Sequence, residues 1–531
     1  MSERRSRRRT NNIYLEKIAI LMSNNDNIAV AKMDIKKSTK IKRGHTEIVT
    51  SDVIPKGHRF SLTDICKGEL VLQYGYPFGI SKGIKKGQII DVKKVDLYRN
   101  DDYKRMIDET FRERKSAPFK KKGNGSDINK TFMGYLRADG RVGTRNFYLI
   151  APTSLCSSDV AAKTAQSLND DKLLMKKYAN IDGIVAASHT EGCGCNDGEI
   201  IDRLLLTLRN TITHPNVGGV LLVDLGCEKT NRKVVSSYLN RLLQYGKPID
   251  FISIQALGGT RKALAAAKNI VRDRLKIVNS VERKAVSIKH LVIGTECGAS
   301  DSFSGITANP LIGATVDKVI CSGGSAILSE TPEMIGAEAI LISRMASKRV
   351  AEKFIQGMDY YKSLARMLGV SMEGNFVAGN VEGGLVNLTL KSLGAVLKGG
   401  SSKIVDFIDY SEHIKHQGLS IMNGPGNDLE SMTGIAAAGA NIILFSTGMG
   451  TTEGNLIVPV IKISTRTEVY DKMNEDMDFN AGNLLDDNTS FDELSSKLLD
   501  RVIEVVSGKK TWAEIWEKRS FQVWTAGKLS L

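Results

Sequence analysis

Four cysteines stand at equivalent places in the chain. Cys156 closes the stretch "RNFYLIAPTSLC", Cys193 closes "IDGIVAASHTEGC", Cys227 closes "VGGVLLVDLGC" and Cys297 closes "IKHLVIGTEC". In each, a β-like apolar run is followed within a few residues by the thiol, in a segment containing glycine or serine. Parallel α/β sheets gather ligands at the carboxyl ends of their strands, so one rule places all four thiols and they are expected to converge. Grouped thiolates are soft ligands that suit zinc, an iron–sulfur cluster or a ferrous ion with mixed partners. The spacing is not that of a zinc finger, and its one close pair is Cys193 and Cys195. Each thiol taken singly also fits the ordinary burial of cysteine.

Other groups with chemistry stand beside them. His189 and Glu191 precede Cys193, Glu228 follows Cys227, and Glu296, Ser300 and Asp301 flank Cys297. A histidine at a strand end beside carboxylates suits proton transfer or metal ligation. A further candidate is the loop "FSTGMGTTEGN" after the apolar run "NIILF". A dinucleotide fingerprint would have to open a helix, but another β-like run, "LIVPVIKIS", follows. We therefore read the loop as a cradle for a small anion, with Lys462 as its charge partner.

The elements that must hold these groups follow from pattern and composition. With 531 residues, 42% apolar and 25% charged, the chain has the make-up of a multidomain globular protein. Residues 1–12, which include "RRSRRR", read as a disordered basic arm. Residues 13–98 form a small β-rich unit of short β-prone runs separated by turns such as "IPKGH". Residues 99–131 turn charged and suit a helix and linker. From 132 onward, apolar runs alternate with amphipathic segments such as "NDGEIIDRLLLTLRN", the pattern of a mostly parallel α/β region. "KGGSS" suggests a break between an α/β domain at 132–399 and a C-terminal α/β subdomain at 400–531. No apolar run reaches the ~18 residues of a membrane span, and no signal-peptide core follows the arm. A cytoplasmic protein whose seven cysteines serve as thiols or ligands is the expectation. The charge of +15 is diffuse and lacks a basic stripe interleaved with aromatics, so an anionic small molecule is the expected partner, not a membrane or nucleic acid. Homo-oligomerisation stays open.

Taken in order, "GYLRADGRVGTRN" (134–146), "LGCEK" (225–229), "ECGASDSFSGITANP" (296–310), "SETPEMIGAE" (329–338), "GPGND" (424–428), "FSTGMGT" (445–451) and "PVIKISTRTE" (459–468) resemble the altronate/galactarate dehydratase family. "IPKGHRFSLTDICKGE" (54–69) is similar to that family's N-terminal SAF domain. The resemblance implies a metal-dependent hydro-lyase, usually assigned iron (Fe2+ or an iron–sulfur cluster), that dehydrates a sugar acid to a 2-keto-3-deoxy acid. Carried over by position, it implies Cys156, Cys193, Cys227 and Cys297 as metal ligands. His189, His58 and Lys462 are the implied catalytic residues, with His189 as candidate base or ligand. Ser300, Asp301, Asn309, Asn427, Asp428, Thr447 and Gly448 are the implied substrate contacts. One version is a cluster held by three cysteines, the other a mononuclear iron with histidine and carboxylate ligands.

The chain also departs from the family pattern. Ser23 stands where a histidine is common, Glu191 where "YGC" has tyrosine, and Met449 where "TGRGT" has arginine; "FVAGNVEGG" (376–384) replaces "PSPGNKxGG". "GNVEGGL" looks closer to the related sulfolactate sulfo-lyases, which eliminate sulfite. An elimination on a smaller anionic acid is thus one alternative. A catalytically silent sugar-acid-binding relative is another, which retention of the cysteines and Lys462 opposes.

Overall fold

The computed structural model describes residues 13–116, 130–239, 246–485 and 489–525. The basic arm at 1–12 and the linker at 117–129 lie outside the described residues. Short β-prone runs and tight turns at the start of the chain build three small sheets. The strands Ala19–Ile20, Ile28–Ala31, Arg59–Ser61 and Ile89–Ile90 form an antiparallel four-stranded sheet. Ile13–Tyr14 joins the Lys40–Arg43 and Thr46–Val49 hairpin, and Leu70–Gln73, Tyr76–Ser81 and Val95–Leu97 form the third sheet. One turn shows how tightly these pack. Gly87 has φ +79°, and a Cβ there would lie 2.0 Å from the Val49 carbonyl oxygen, so only glycine fits. The charged segment that follows contains the expected helix, Tyr103–Ser116.

The remainder is built on two parallel sheets. The first has strand order Gly183–Ala186, Phe147–Pro152, Val217–Asp224, Ile249–Ser253. Every residue of Phe147–Pro152 and Val217–Asp224 is buried, because helices cover both faces. Leu155–Asn169 and Thr260–Asn279 pack on one face, and Glu199–Thr213 packs on the other. The second sheet has seven strands in the order Ile404–Ile408, Leu419–Met422, Ser325–Leu328, Val292–Gly298, Ile442–Thr447, Val460–Ser464, Phe479–Asn480, all parallel. Small residues let its helices close in. A Cβ on Gly294 would sit 2.3 Å from Ile435 Cγ2, so the Asp428–Ala437 helix lies directly on the central strand.

The break expected at residues 399–402 falls inside this second sheet, whose strands on both sides of it pair, as in Ala326 with Leu419. "KGGSS" is a packed turn: a Cβ on Gly400, at φ +61°, would meet the Gly313 carbonyl oxygen at 2.4 Å. The division lies earlier, where Arg283–Ser287 pairs with Thr131–Leu136 in an antiparallel ribbon separate from both parallel sheets.

The motif "GYLRADGRVGTRN" clasps this arrangement together. Arg145, 1% exposed, gives Nε and Nη2 to the two carboxylate oxygens of Glu514 at 2.6 and 2.7 Å, and Nη1 to the Thr144 and Val505 carbonyls. Arg145 thus ties the base of the first sheet to the C-terminal helices. Arg145→Ala leaves the half-buried Glu514 without its counter-charge, the Thr511 donors remaining, which is expected to cost about 3 kcal/mol in urea unfolding at neutral pH. Burial raises Glu514's pKa, but Arg145 outweighs that and holds the carboxyl below its ordinary value. The contribution is therefore present above the unfolded carboxyl range and lost as pH falls through the folded value. A wild-type-like unfolding midpoint in Arg145→Ala would refute the clasp.

Candidate functional site

The carboxyl ends of the first sheet gather three of the four expected thiols. Cys156 lies in the first turn of Leu155–Asn169, Cys193 in the loop after Gly183–Ala186, and Cys227 in the loop after Val217–Asp224; all three are exposed. The loops touch. Leu155 N–H donates to the Glu191 carbonyl at 2.7 Å, Lys229 N–H donates to Cys193 Sγ at 3.4 Å, and Gln255 Nε2 donates to Cys227 Sγ at 3.5 Å. Glu228 holds them from below, accepting from Thr153 Oγ1 at 2.7 Å and from the Leu225 and Gly226 amides. Cys195 is buried and donates its thiol to Glu191 Oε2 at 3.0 Å. Among the described residues, no group of three or more His, Cys, Asp or Glu side chains is arranged to hold a metal ion.

Cys297 does not join them, because its strand, Val292–Gly298, belongs to the second sheet. It is 3% exposed and bonds Ser300 Oγ at 2.8 Å. His189 reaches the expected strand end, but both of its ring nitrogens are engaged by backbone. Nε2 lies 3.1 Å from the Pro152 carbonyl oxygen, and Nδ1 accepts from Glu191 N–H at 3.2 Å. This pairing fixes the Nε2–H tautomer and makes the ring a brace between two strand-end loops.

The expected substrate contacts divide in the same way. Asp301 is 2% exposed and fully used: it accepts from Thr465 Oγ1 at 3.0 Å, from Phe303 and Ser304 amides, and pairs with Arg466 Nε at 3.0 Å. Asn309 donates to the Gly394 carbonyl and accepts from Ser446 Oγ. Asn427 caps the Asp428–Ala437 helix, accepting from Leu429 and Glu430 amides. Thr447 Oγ1 accepts from Gly450 and Thr451 amides, and Gly448 sits against Asp301, where a Cβ would come within 2.6 Å. These residues shape loops with their own side chains. Ser300 and Asp428 remain beside the chemistry described next.

At the carboxyl end of the second sheet lies a buried ion cluster that motif reading passed over. Lys398, 1% exposed, pairs with Glu330 and stands 3.8 Å from Glu333 Oε2. Lys391, 8% exposed, pairs with Glu333 Oε1 at 2.9 Å and donates to the Asn375 carbonyl at 2.8 Å. Glu296, fully buried, accepts from Ser431 Oγ at 2.7 Å. Burial and the charge of Glu333 push Glu330 up, against the pull of Lys398. Burial works against both lysine ammoniums, yet the carboxylates around them hold them above their usual range. Asp428 is pushed up to about 6, chiefly by burial and then by Glu333. The Cys297 thiol is pushed up to about 11 by burial, so it is protonated here. A signal for the cluster was present in "LTLKSLGAVLKGG": two lysines seven residues apart in an otherwise apolar helical run mark buried charge.

Lys462 stands on the same sheet two strands from Glu296, with Phe445 in the row between them, and is 1% exposed. Burial lowers its ammonium to about 8, against the opposing pull of Asp478 and Glu453. Glu453 also raises Asp428. The N-terminal unit walls the same end. Arg59, fully buried, donates to Gln73 Oε1 at 2.7 Å within its unit and to Ser302 Oγ and the Gly384 carbonyl, each at 2.6 Å, across the junction. His58 follows that junction at Gly57, half-buried, with Nδ1 3.5 Å from the Lys56 carbonyl. Met449, 43% exposed, lies against Gly379 within the 376–384 segment, so these two departures from the family pattern are neighbours in space. The two sheet ends adjoin through the first turn of Asp428–Ala437: its Asp428 faces the ion cluster, and its Glu430 feels the charges of Arg203 and Glu191. A cleft of about 690 Å3 lined by Arg203, Tyr360, Tyr410, Asn423 and Trp524 opens beside it.

Buried lysines, carboxylates of raised pKa and a lysine of lowered pKa at the carboxyl end of a parallel sheet define an α/β enzyme for small anionic substrates. The chain belongs to the altronate/galactarate dehydratase family. Three family models account for most of it: the SAF domain of altronate/galactarate dehydratases over 17–97, the second domain of D-galactarate dehydratase/altronate hydrolase over 134–279, and the C-terminal domain of D-galactarate/altronate dehydratases over 288–529. It is 34% identical to altronate dehydratase of Bacillus subtilis over 91% of this chain and 94% of that one. It is 30% identical to the L-threo-forming galactarate dehydratase of Escherichia coli over 94% of each. It is also 30% identical to the (2R)-sulfolactate sulfo-lyase subunit beta of Chromohalobacter salexigens, over 74% of this chain and 96% of that one. No helix among the described residues is long and apolar enough to cross a membrane.

Proposed function

We propose that the protein is a hydro-lyase that dehydrates a sugar acid of the altronate or galactarate type to a 2-keto-3-deoxy acid. The observation that carries this reading is the 34% identity to an altronate dehydratase over 91% of this chain, and the buried Lys391, Lys398 and Lys462 offer the groups such a reaction needs. A proton beside a carboxylate becomes removable only when the charge that develops on that carboxylate is met by fixed positive charge. Lys391 and Lys398 supply it. Lys462, whose ammonium loses its proton at about 8, is the base that takes the C2 proton. His189 braces the neighbouring loops, and His58 belongs to the wall that the SAF domain sets against the site.

Iron, as Fe2+ or an iron–sulfur cluster, is a separate part of the proposal. Cys156, Cys193 and Cys227 are its donors here: three exposed thiols on touching loops, chemically suited to it. As placed they do not form a closed ligand set, so no step of the reaction is routed through the metal. Cys193→Ser is expected to lower the iron content of anaerobically purified protein severalfold with an unchanged circular dichroism spectrum. Unchanged iron, or a wild type without iron or acid-labile sulfide, would count decisively against the thiol site.

Met449 against Gly379 favours a second reading, elimination of sulfite from a smaller anionic acid. A panel of anionic substrates separates the two: 2-keto-acid release supports dehydration, and sulfite release supports the alternative. Turnover of neither, together with binding of sugar acids, would support a silent relative.

A further inference from the structure

The cleft beside the ion cluster opens between the two α/β units. Strands Ile404–Ile408 and Leu419–Met422 bring Tyr410 and Asn423 to it at their carboxyl ends, the Glu199–Thr213 helix of the first unit brings Arg203, and the Lys348–Met367 helix brings Gln356 and Tyr360. A second hollow of about 400 Å3 shares Glu199 and Tyr360 with it and reaches Asn196, the residue after Cys195 on the thiol-bearing loop. The two form one groove, and it lies where open α/β sheets bind their ligands.

Its walls are held by their own bonds. Trp524 meets Tyr410 edge-on at 5.6 Å, the Arg203 guanidinium lies over the Trp524 ring at 4.1 Å, and Tyr410 Oη donates to the Glu430 carbonyl at 2.6 Å. Arg203 pairs with Glu199, which also accepts from Tyr360 Oη at 2.9 Å. Two carboxamides in the lining are not used up in this way. Asn423 is 8% exposed; its Oδ1 accepts from Thr331 Oγ1 at 2.9 Å, while its Nδ2 donates to nothing among the described residues. Gln356 is exposed, and its side chain makes no hydrogen bond among the described residues. A hydroxyl is a donor and an acceptor at once, so a row of hydroxyls is matched by groups that do both, as carboxamides do. Aromatic rings pack against the C–H faces between hydroxyls. A bare anion would need free cations, but Arg203 and Lys353 are already paired with Glu199 and Asp406.

We propose that this groove holds the hydroxylated carbon chain of the substrate, with Asn423 Nδ2 and the Gln356 carboxamide bonding its hydroxyls and the Tyr410–Trp524 wall against its C–H face. That the chain is the substrate's rests on the dehydratase reading; that it is hydroxylated rests on the lining alone. Asn423 ties the groove to the ion cluster, because Thr331, which it holds, directly follows Glu330, the partner of Lys398.

Calorimetry and kinetics on the full-length protein test this. Galactitol has a hydroxyl on every carbon and no carboxylate, so it binds without being dehydrated; adipate has the chain length and charges of galactarate but no hydroxyls. The wild type is expected to bind galactitol, and adipate at least ~10-fold more weakly, and Gln356→Leu and Asn423→Asp should each raise the galactitol Kd ~10-fold, as when one hydrogen bond is lost and its partner left unpaired. Asn423→Asp keeps the acceptor for Thr331 Oγ1 and removes only the donor. Gln356 is exposed on a helix, so Gln356→Leu is expected to fold even if Asn423→Asp does not. No galactitol binding by the wild type, adipate binding of equal strength, or an unchanged galactitol Kd in Gln356→Leu would overturn the groove as a site for hydroxylated chains. In turnover of altronate and galactarate, the same variants should raise KM by a similar factor with kcat little changed, the mark of lost ground-state binding. Weaker galactitol binding with an unchanged KM would overturn the assignment to the substrate. A wild type that turns over no sugar acid refutes the dehydratase reading, and the galactitol result then decides the groove by itself.

Discussion

Lys462→Met is expected to lower kcat by ~10²–10⁴-fold, the range that a positioned general base contributes. KM should change much less, because Lys391 and Lys398, the groups proposed to meet the substrate carboxylate, are untouched. The fold should survive: methionine matches the length of the lysine stem, and burial disfavours the ammonium it replaces. Asp478 accepts from the Lys462 backbone N–H at 3.0 Å, a bond that the substitution keeps. The pH profile separates a base from a packing residue. A base must be deprotonated, so the wild-type rate should rise as pH climbs towards about 8, the value at which Lys462 loses its proton. In Lys462→Met that rising limb should be gone from whatever activity is left. A kcat within tenfold of wild type, or a limb that persists, would remove Lys462 from the reaction.

The sequence carried the placing of the cysteines but not their partition. Every strand-end thiol followed the same pattern, and nothing in that pattern tells which sheet a strand enters. Strand order decides it: the first sheet is complete at Ile249–Ser253, and Cys297 rides on the central strand of the next. The polar motif residues misled for a different reason. Asp301, Asn309, Asn427 and Thr447 are types that bind ligands, but each also bonds nearby backbone or side chains, and the local partners took them. Glu330, Glu333, Lys391 and Lys398 sat in plain view within "SETPEMIGAE" and an apolar helix. Their meaning appears only when two segments some sixty residues apart meet. The β-rich unit, the charged helix and the parallel α/β texture were legible because each is a local pattern of period and turn chemistry. The supposed break at "KGGSS" was not, since glycines that permit close packing and glycines that loosen a linker look alike in sequence.

Lys398→Met tests the cluster as a structure, and its effect should depend on pH in one direction only. Lys398 is 1% exposed and pairs with Glu330. Removing its charge leaves three buried carboxyl groups with Lys391 as the remaining nearby ammonium, an expected loss of about 3–5 kcal/mol near pH 8. Burial opposes the Lys398 ammonium, but Glu330 and its neighbours hold its folded pKa above the unfolded value. Its contribution is therefore fully present below that unfolded value, about 10.4, and is constant over the working range. The variation with pH comes from the carboxyls. Without Lys398, burial drives the pKa of Glu330 and Glu296 further up, and a carboxyl with a raised folded pKa costs stability once pH exceeds the unfolded value. Lowering the pH protonates these groups at little cost, so the deficit of Lys398→Met should shrink between pH 8 and pH 5 in paired urea titrations. A deficit of equal size at both would mean that Lys398 acts by packing alone and that the carboxyl groups around it already carry their protons throughout.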